Sequence, residues 1–179
     1  MSKNLIYFFG VHEILKTMTV NPLLILLSDY SSQGEFLDAI LKLFLGDFVT
    51  NTTKFRSQKI VLKKRPTNWL DGIEYDWTFH HIITKENQNN DNIREFNIAR
   101  AERIKFPKLY IDDHQTSLSN YKIWSRTKNN ETKYYISDNN YDYLVILSQR
   151  KNYIMLLSAF PIETNHYKYK LKKEYEQYK

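Results

Sequence analysis

The chain has 179 residues, 42% of them hydrophobic and 26% charged, with 4 glycines, 4 prolines and no cysteine. The lack of cysteine excludes disulfide staples, thiolate metal sites and thiol nucleophiles together, and a chain this long buries roughly 70% of its unfolded surface without such help. Lysine and arginine number 26 against 20 acids, a net charge of +6 that suits polyanionic partners such as nucleic acid.

Two early apolar runs, 5–11 and 23–27, fall far short of the about 20 residues that span a bilayer. The first is followed by His12, Glu13 and Lys16 without a small-residue cleavage site, so the expectation is a cytoplasmic protein with no membrane role. Residues 34–48 place Phe36, Leu37, Ile40, Leu41, Phe44 and Leu45 at helical spacing, with Ser31 or Ser32 as cap and Gly46 near the end. Residues 54–65 hold six cations and no acid around Ile60-Val61-Leu62. That segment reads as a strand stopped by Pro66, serving either RNA contact or protection of a sheet edge. His80 and His81 follow Trp77, Thr78 and Phe79 in a stretch read as extended, which sends the two rings to opposite faces. Residues 91–104 read as a helix capped by Asp91, with Ile93, Phe96, Arg100 and Ile104 on one face and Pro107 ending it.

Strand-like segments then follow at 121–128, 131–137, 143–148 and 153–160, joined by Asn129-Asn130, Asp138-Asn139-Asn140 and Arg150-Lys151-Asn152. Asparagine tolerates the left-handed backbone of tight hairpins. Connections this short force antiparallel neighbours, hence a four-stranded meander. Residues 143–147 and 154–157 are apolar on both faces and belong centrally, whereas cation-rich 121–128 suits an edge. Tyr167, Leu171, Tyr175 and Tyr178 give a C-terminal helix. The expected class is α+β: a helical, basic N-terminal region over 1–66, then a domain over 67–179 with the antiparallel β-meander and C-terminal helix, or one continuous domain.

Candidate chemistry lies mainly in the second half. Imidazole is the side chain best poised for proton transfer near neutral pH, so His80 and His81 stand out against the alternative of packed histidines. Arg100 and Arg103, three apart, share a helix face and can bracket a phosphate, with Glu102 between them and Lys105 beyond. The competing reading is a salt-bridged helix end. Lys122, Trp124 and Arg126 alternate on one strand face and form either a phosphate-and-base platform or an ordinary cation-rich strand. Arg150 sits at a hairpin mouth. Ser158, in the most apolar strand, needs a partner for its hydroxyl, a phosphate or a backbone carbonyl. His12, His114 and His166 read as surface residues. Asp112-Asp113-His114 lacks further ligands, and His80-His81 with Asn97 lacks the later histidine of an HNH metal core. Neither metal nor cofactor is expected.

Taken in order, Arg100-Ala101-Glu102-Arg103-Ile104-Lys105-Phe106-Pro107, Lys122-Ile123-Trp124, Tyr143-Leu144-Val145-Ile146-Leu147, Leu156-Leu157-Ser158-Ala159-Phe160 and Leu171-Lys172-Lys173-Glu174-Tyr175-Glu176 form a pattern. Over residues 77–178 it resembles phage and prophage proteins assigned to the barnase–EndoU–colicin–RelE (BECR) ribonuclease fold. Phe106 stands where tryptophan is usual, and Ser158 and Phe160 where threonine and tyrosine are common, so a phenol is lost at 160. The resemblance implies a toxin-like endoribonuclease that cleaves RNA by general acid–base catalysis without metal. It implies His80 or His81 as the proton-transfer group, Arg100 and Arg103 on the phosphate, Glu102 as base or arginine holder, and Ser158 in support. Lys105, Lys122, Trp124, Arg126 and Arg150 would be substrate contacts. RNA is the expected partner, with an antitoxin or host protein as another. The alternative is a non-catalytic phage module that binds nucleic acid or protein.

Overall fold

A computed structural model of the chain describes residues 23–63, 66–69, 73–87, 89–115 and 120–179; for 66–69, 73–76, 91 and 92 it describes the backbone alone. The apolar run 5–11, His12, Lys64 and Arg65 lie outside the described residues.

Helix α1 (Gln33–Leu45) starts where Ser32, in extended backbone, accepts the Glu35 N–H at 3.2 Å. It buries Phe36, Leu37, Ile40 and Phe44, and a π-helical turn over Gly46–Thr50 adds Phe48. Strands β1 (Lys54–Phe55) and β2 (Gln58–Val61) form a hairpin whose turn residues Arg56 and Ser57 both have positive φ. Pro66 does not end a strand. It opens β3 (Pro66–Trp69), a position where its missing N–H is tolerated, and β3 pairs with β4 (Ile73–Asp76).

Residues 77–104 depart most from expectation. The histidines lie on a helix, α2 (Trp77–Ile83), not on an extended segment. Residues 90–96 are a strand, not a helix: β5 (Thr84–Asn87) and β6 (Asn90–Phe96) pair antiparallel, with Glu86 opposite Arg94. The helix begins later. Asn97, not Asp91, accepts the Arg100 N–H at 2.9 Å and caps the single turn α3 (Ile98–Ala101). Pro107 falls in the first turn of α4 (Phe106–Asp113), where a proline suits helix initiation.

The last four strands run antiparallel in sequence: β7 (Tyr121–Lys128), β8 (Glu131–Asp138), β9 (Tyr143–Gln149) and β10 (Ile154–Pro161). Asn129 and Asn130 supply the left-handed turn residues, with φ of 51° and 60°. The expected self-contained meander is nevertheless part of something larger. The sheet has six strands in the order β1-β2-β10-β9-β8-β7, and β2 pairs parallel to β10 through Ile60 and Val61. Parallel neighbours far apart in sequence leave no local signal. Helix α5 (Asn165–Tyr178) is capped by Thr164, which accepts the Tyr167 N–H at 3.3 Å.

The sheet separates two apolar layers. Tyr143, Val145 and Leu147 join Phe36, Phe44, Phe55, Phe79 and Ile104 on one face; Leu144 joins Trp124, Ile162 and Leu171 under α5 on the other. The register of β10 slips between Leu156 and Ser158. Leu156 pairs with Leu147 on the first face, but Ser158 and Phe160 pair with Ile146 and Leu144 on the α5 face. A one-residue bulge thereby reverses which side chains point where. No helix among the described residues is long and apolar enough to cross a membrane.

Candidate functional site

Strand β2 pairs only with Ile154 and Met155 of β10. Beyond them, α2, the β5–β6 hairpin and α3 stand beside the later part of β10 in place of a strand. A cleft of about 390 Å³ opens there, lined by His81, Lys85, Arg94, Arg100, Ser158 and Tyr167 among others. Its walls come from α2, β5, β6, α3, β10 and α5, so it exists only in the complete fold.

His81 stacks on Trp77 one helical turn earlier, with centroids 4.6 Å apart and planes 11° apart. Lys63 Nζ lies 4.1 Å from the centroid of the same indole. Burial, helped by Arg94, Arg100, His80 and Lys63, holds the His81 imidazole down at about 3. At neutral pH it is uncharged, and its burial among these basic groups opposes protonation.

The two arginines are unlike each other. Arg94 is tied down: Nε donates to Thr84 Oγ1 at 2.8 Å, Nη2 to Thr84 O at 2.9 Å, and Nη1 to Glu86 Oε1 at 3.0 Å. Arg100 Nη1 donates to the same Thr84 carbonyl at 2.6 Å, and its guanidinium carbon lies 4.8 Å from the Phe160 ring centroid. Tyr167 stacks near Phe160, at 6.3 Å and 14°. Lys85 faces Glu163 at 3.7 Å, so both Arg94 and Lys85 have carboxylate partners; Arg100 has none within ion-pair distance among the described residues, although Glu163 and Glu86, both on the cleft wall, act on its charge from further off. Burial lowers the pKa of Arg100 and raises that of the Tyr167 phenol, which therefore stays protonated through neutral pH.

Of the residues singled out from sequence, the cleft gathers His81, Arg100 and Ser158. His80 is buried, and its carbonyl accepts from Thr84 Oγ1 at 2.6 Å. Glu102 holds the chain before α1: its Oε1 accepts the Leu27 N–H at 3.2 Å and its backbone carbonyl accepts the Ile25 N–H at 2.9 Å. Arg103 turns to a separate cavity of about 510 Å³ with Phe106, Tyr110 and Tyr143, its Nη1 donating to Ala99 O at 2.7 Å. Arg100 and Arg103 thus flank different spaces, because α3 is too short to hold both on one face. Lys105 precedes α4, and its charge acts on Asp47.

The β7 row is covered rather than open. Trp124 is 2% exposed, stacks on Tyr135 and donates Nε1–H to Glu174 Oε1 at 3.1 Å. Arg126 meets the other oxygen of Glu174 at 3.1 Å, and Lys122 lies 5.2 Å from the Tyr175 ring centroid. A ring packed under α5 offers no face to a base. Arg150, just past the end of β9, pairs at 3.0 Å with Glu131 at the start of the neighbouring strand β8. His114 is buried rather than a surface residue, its Nδ1 hydrogen-bonded to Ile111 O.

Sequence reasoning missed Lys85, Arg94 and Tyr167. The signal for Arg94 is its place in a hairpin with Glu86 opposite, which the helical spacing of 91–104 conceals. Tyr167 was visible only as helix periodicity, yet it brings a phenol beside Phe160, where the sequence had suggested one was lost. Among the described residues no three His, Asp or Glu side chains converge to hold a metal ion. Comparisons with protein-family models, curated proteins and solved structures find no match.

Proposed function

We propose that the chain is a phage- or prophage-type, toxin-like endoribonuclease of the BECR kind, acting on RNA without metal in the His81–Arg100–Ser158 cleft. The carrying observation is Arg100, a half-buried guanidinium at the cleft with no carboxylate partner among the described residues, close enough to the neutral His81 imidazole to depress its pKa. A phosphodiester supplies an anion in direct contact with the guanidinium, which Glu163 and Glu86 influence only from further off. Its non-bridging oxygens sit on Arg100 and the Ser158 hydroxyl, Arg94 holding the Thr84 carbonyl that orients Arg100. His81 takes the proton of the 2′-hydroxyl as that oxygen attacks phosphorus, and the bond from phosphorus to the 5′-oxygen breaks. The departing 5′-oxygen takes its proton from the Tyr167 phenol, and water returns both groups to their starting states. The product strand ends in a 2′,3′-cyclic phosphate.

A gel assay on mixed RNA in excess chelator tests this. Wild type leaves cyclic-phosphate ends; His81→Gln and Arg100→Ala lower the rate at least about a hundredfold, the range of a lost acid–base or charge-stabilising group, and Ser158→Ala lowers it less. No cleavage by the wild-type protein between pH 5 and 9 sinks the proposal.

One observation favours a second reading, a module that binds nucleic acid or protein without cutting it. An imidazole held near 3 is a weak base. Catalysis therefore requires that the bound phosphate raise it by offsetting Arg94 and Arg100. An NMR titration of His81 with and without an uncleavable nucleotide separates the two: a pKa that stays near 3 when the nucleotide is bound leaves binding alone.

A further inference from the structure

We propose that a second cleft, between α5 and the β8–β9 turn, carries the phosphate backbone of the same single-stranded RNA a few nucleotides from the site of attack. This rests on the reading of the first cleft as an RNA site. The second cavity holds about 540 Å³ and is lined by Lys122, Lys168, Lys172 and Lys179, with Glu176 the opposing carboxylate on its wall. On α5, positions 168, 172, 176 and 179 fall at spacings of four, four and three, one continuous stripe.

The lysines differ in how far they are committed. Lys168 pairs with Asp142. Lys122 and Lys179 lie 5.2 Å and 5.9 Å from the Tyr175 ring centroid, on its π-system rather than on a carboxylate. Lys172 is exposed and has no ion-pair partner among the described residues. Tyr169, at 58% exposure on the same wall, presents a ring to solvent with Lys173 Nζ 4.6 Å from its centroid. Tyr169 is the exposed ring among the tyrosines of this cleft, Tyr141 being buried and Tyr175 half-buried, and an exposed ring beside lysines matches an unpaired base stacking while phosphates are neutralised. A duplex, whose bases are hidden, would leave that ring unused.

Helix α5 links the two places. Tyr167, in its first turn, lines the His81 cleft, while Tyr175, two turns on, lines the lysine cleft. A rise of 1.5 Å per residue puts them about 12 Å apart along the axis, within reach of a few nucleotides of extended strand.

Fluorescence anisotropy with uncleavable 2′-O-methyl oligonucleotides tests the proposal on the full chain. Lys172→Gln/Lys179→Gln should weaken an octamer about tenfold and leave a dinucleotide unchanged. The slope of log affinity against log salt should flatten by about 1.4, the value for two phosphate contacts on a single strand. Arg100→Ala should weaken both oligonucleotides. Octamer affinity and salt slope equal to wild type in the lysine variant overturn the proposal. So does displacement of the octamer by polyglutamate as effective as by unlabelled RNA, which would mark an acidic protein as the occupant. If the lysine variant behaves as expected while Arg100→Ala changes nothing, the lysine site stands and the first-cleft reading fails.

Discussion

At the scale of single residues, burial and neighbouring cations move the titration of His80, His81 and His114. The His81 imidazole titrates near 6.5 when unfolded and at about 3 when folded. Between those values the unfolded chain binds the extra proton, so stability is fully present above about pH 6.5 and drains away as pH falls toward 3. His80 and His114 shift in the same direction. Urea unfolding at pH 7 and pH 4 should show this loss, and His81→Phe, which keeps a ring on Trp77, should reduce but not abolish it. The Tyr143 hydroxyl is buried with no hydrogen-bond partner among the described residues. Removing an unsatisfied buried hydroxyl relieves its desolvation, so Tyr143→Phe should leave the midpoint unchanged or raise stability by about 1 kcal/mol. A drop of that size would show that the hydroxyl has a partner.

At the scale of elements, the legible parts were those whose signals are local. Helix α1 shows its cap and apolar stripe within a short window; the β7–β10 hairpins show asparagine turns; α5 shows its tyrosines. Residues 91–104 carry two competing periods. Ile93 and Ile104 made a helical stripe over 91–104, but Ile93 is 50% exposed on β6 and Ile104 is buried in the turns after α3. Pairing with β5 overrode the local pattern, and the Arg94–Glu86 ion pair that accompanies it is a contact between strands, invisible along one of them. The candidate site was half legible for the same reason. His81, Arg100 and Ser158 carry reactive groups recognisable by type, while Lys85, Arg94 and Tyr167 acquire meaning only from where the chain folds them. Asn97, as the cap of α3, also positions Arg100. Asn97→Ala should cost about 1 kcal/mol in thermal or urea unfolding and weaken oligonucleotide binding at the first cleft; an unchanged midpoint would assign the helix start elsewhere.

At the scale of the whole molecule, the described residues of 23–63 share one core and one sheet with those that follow position 66. Phe36, Phe44 and Phe55 pack in the same cluster as Phe79, Ile154 and Leu156, and β2 closes against β10. Unfolding should therefore be a single cooperative transition, with calorimetric and van't Hoff enthalpies in agreement, and residues 67–179 alone should expose that core and aggregate. Two separated transitions would contradict this. The net charge of +6 adds a global expectation: affinity for any polyanion falls as salt rises, including at positions outside both clefts.

The parallel pairing of β2 with β10 carries a temporal consequence. His81 and Arg100 are synthesised well before Ser158 and Tyr167, and β2 waits for its parallel neighbour β10, which follows it only after every intervening helix and strand has been made. A growing chain therefore possesses neither a closed sheet nor the groove beside it. If the groove cuts RNA, a growing chain is harmless to its messenger until β10 and Tyr167 have been made.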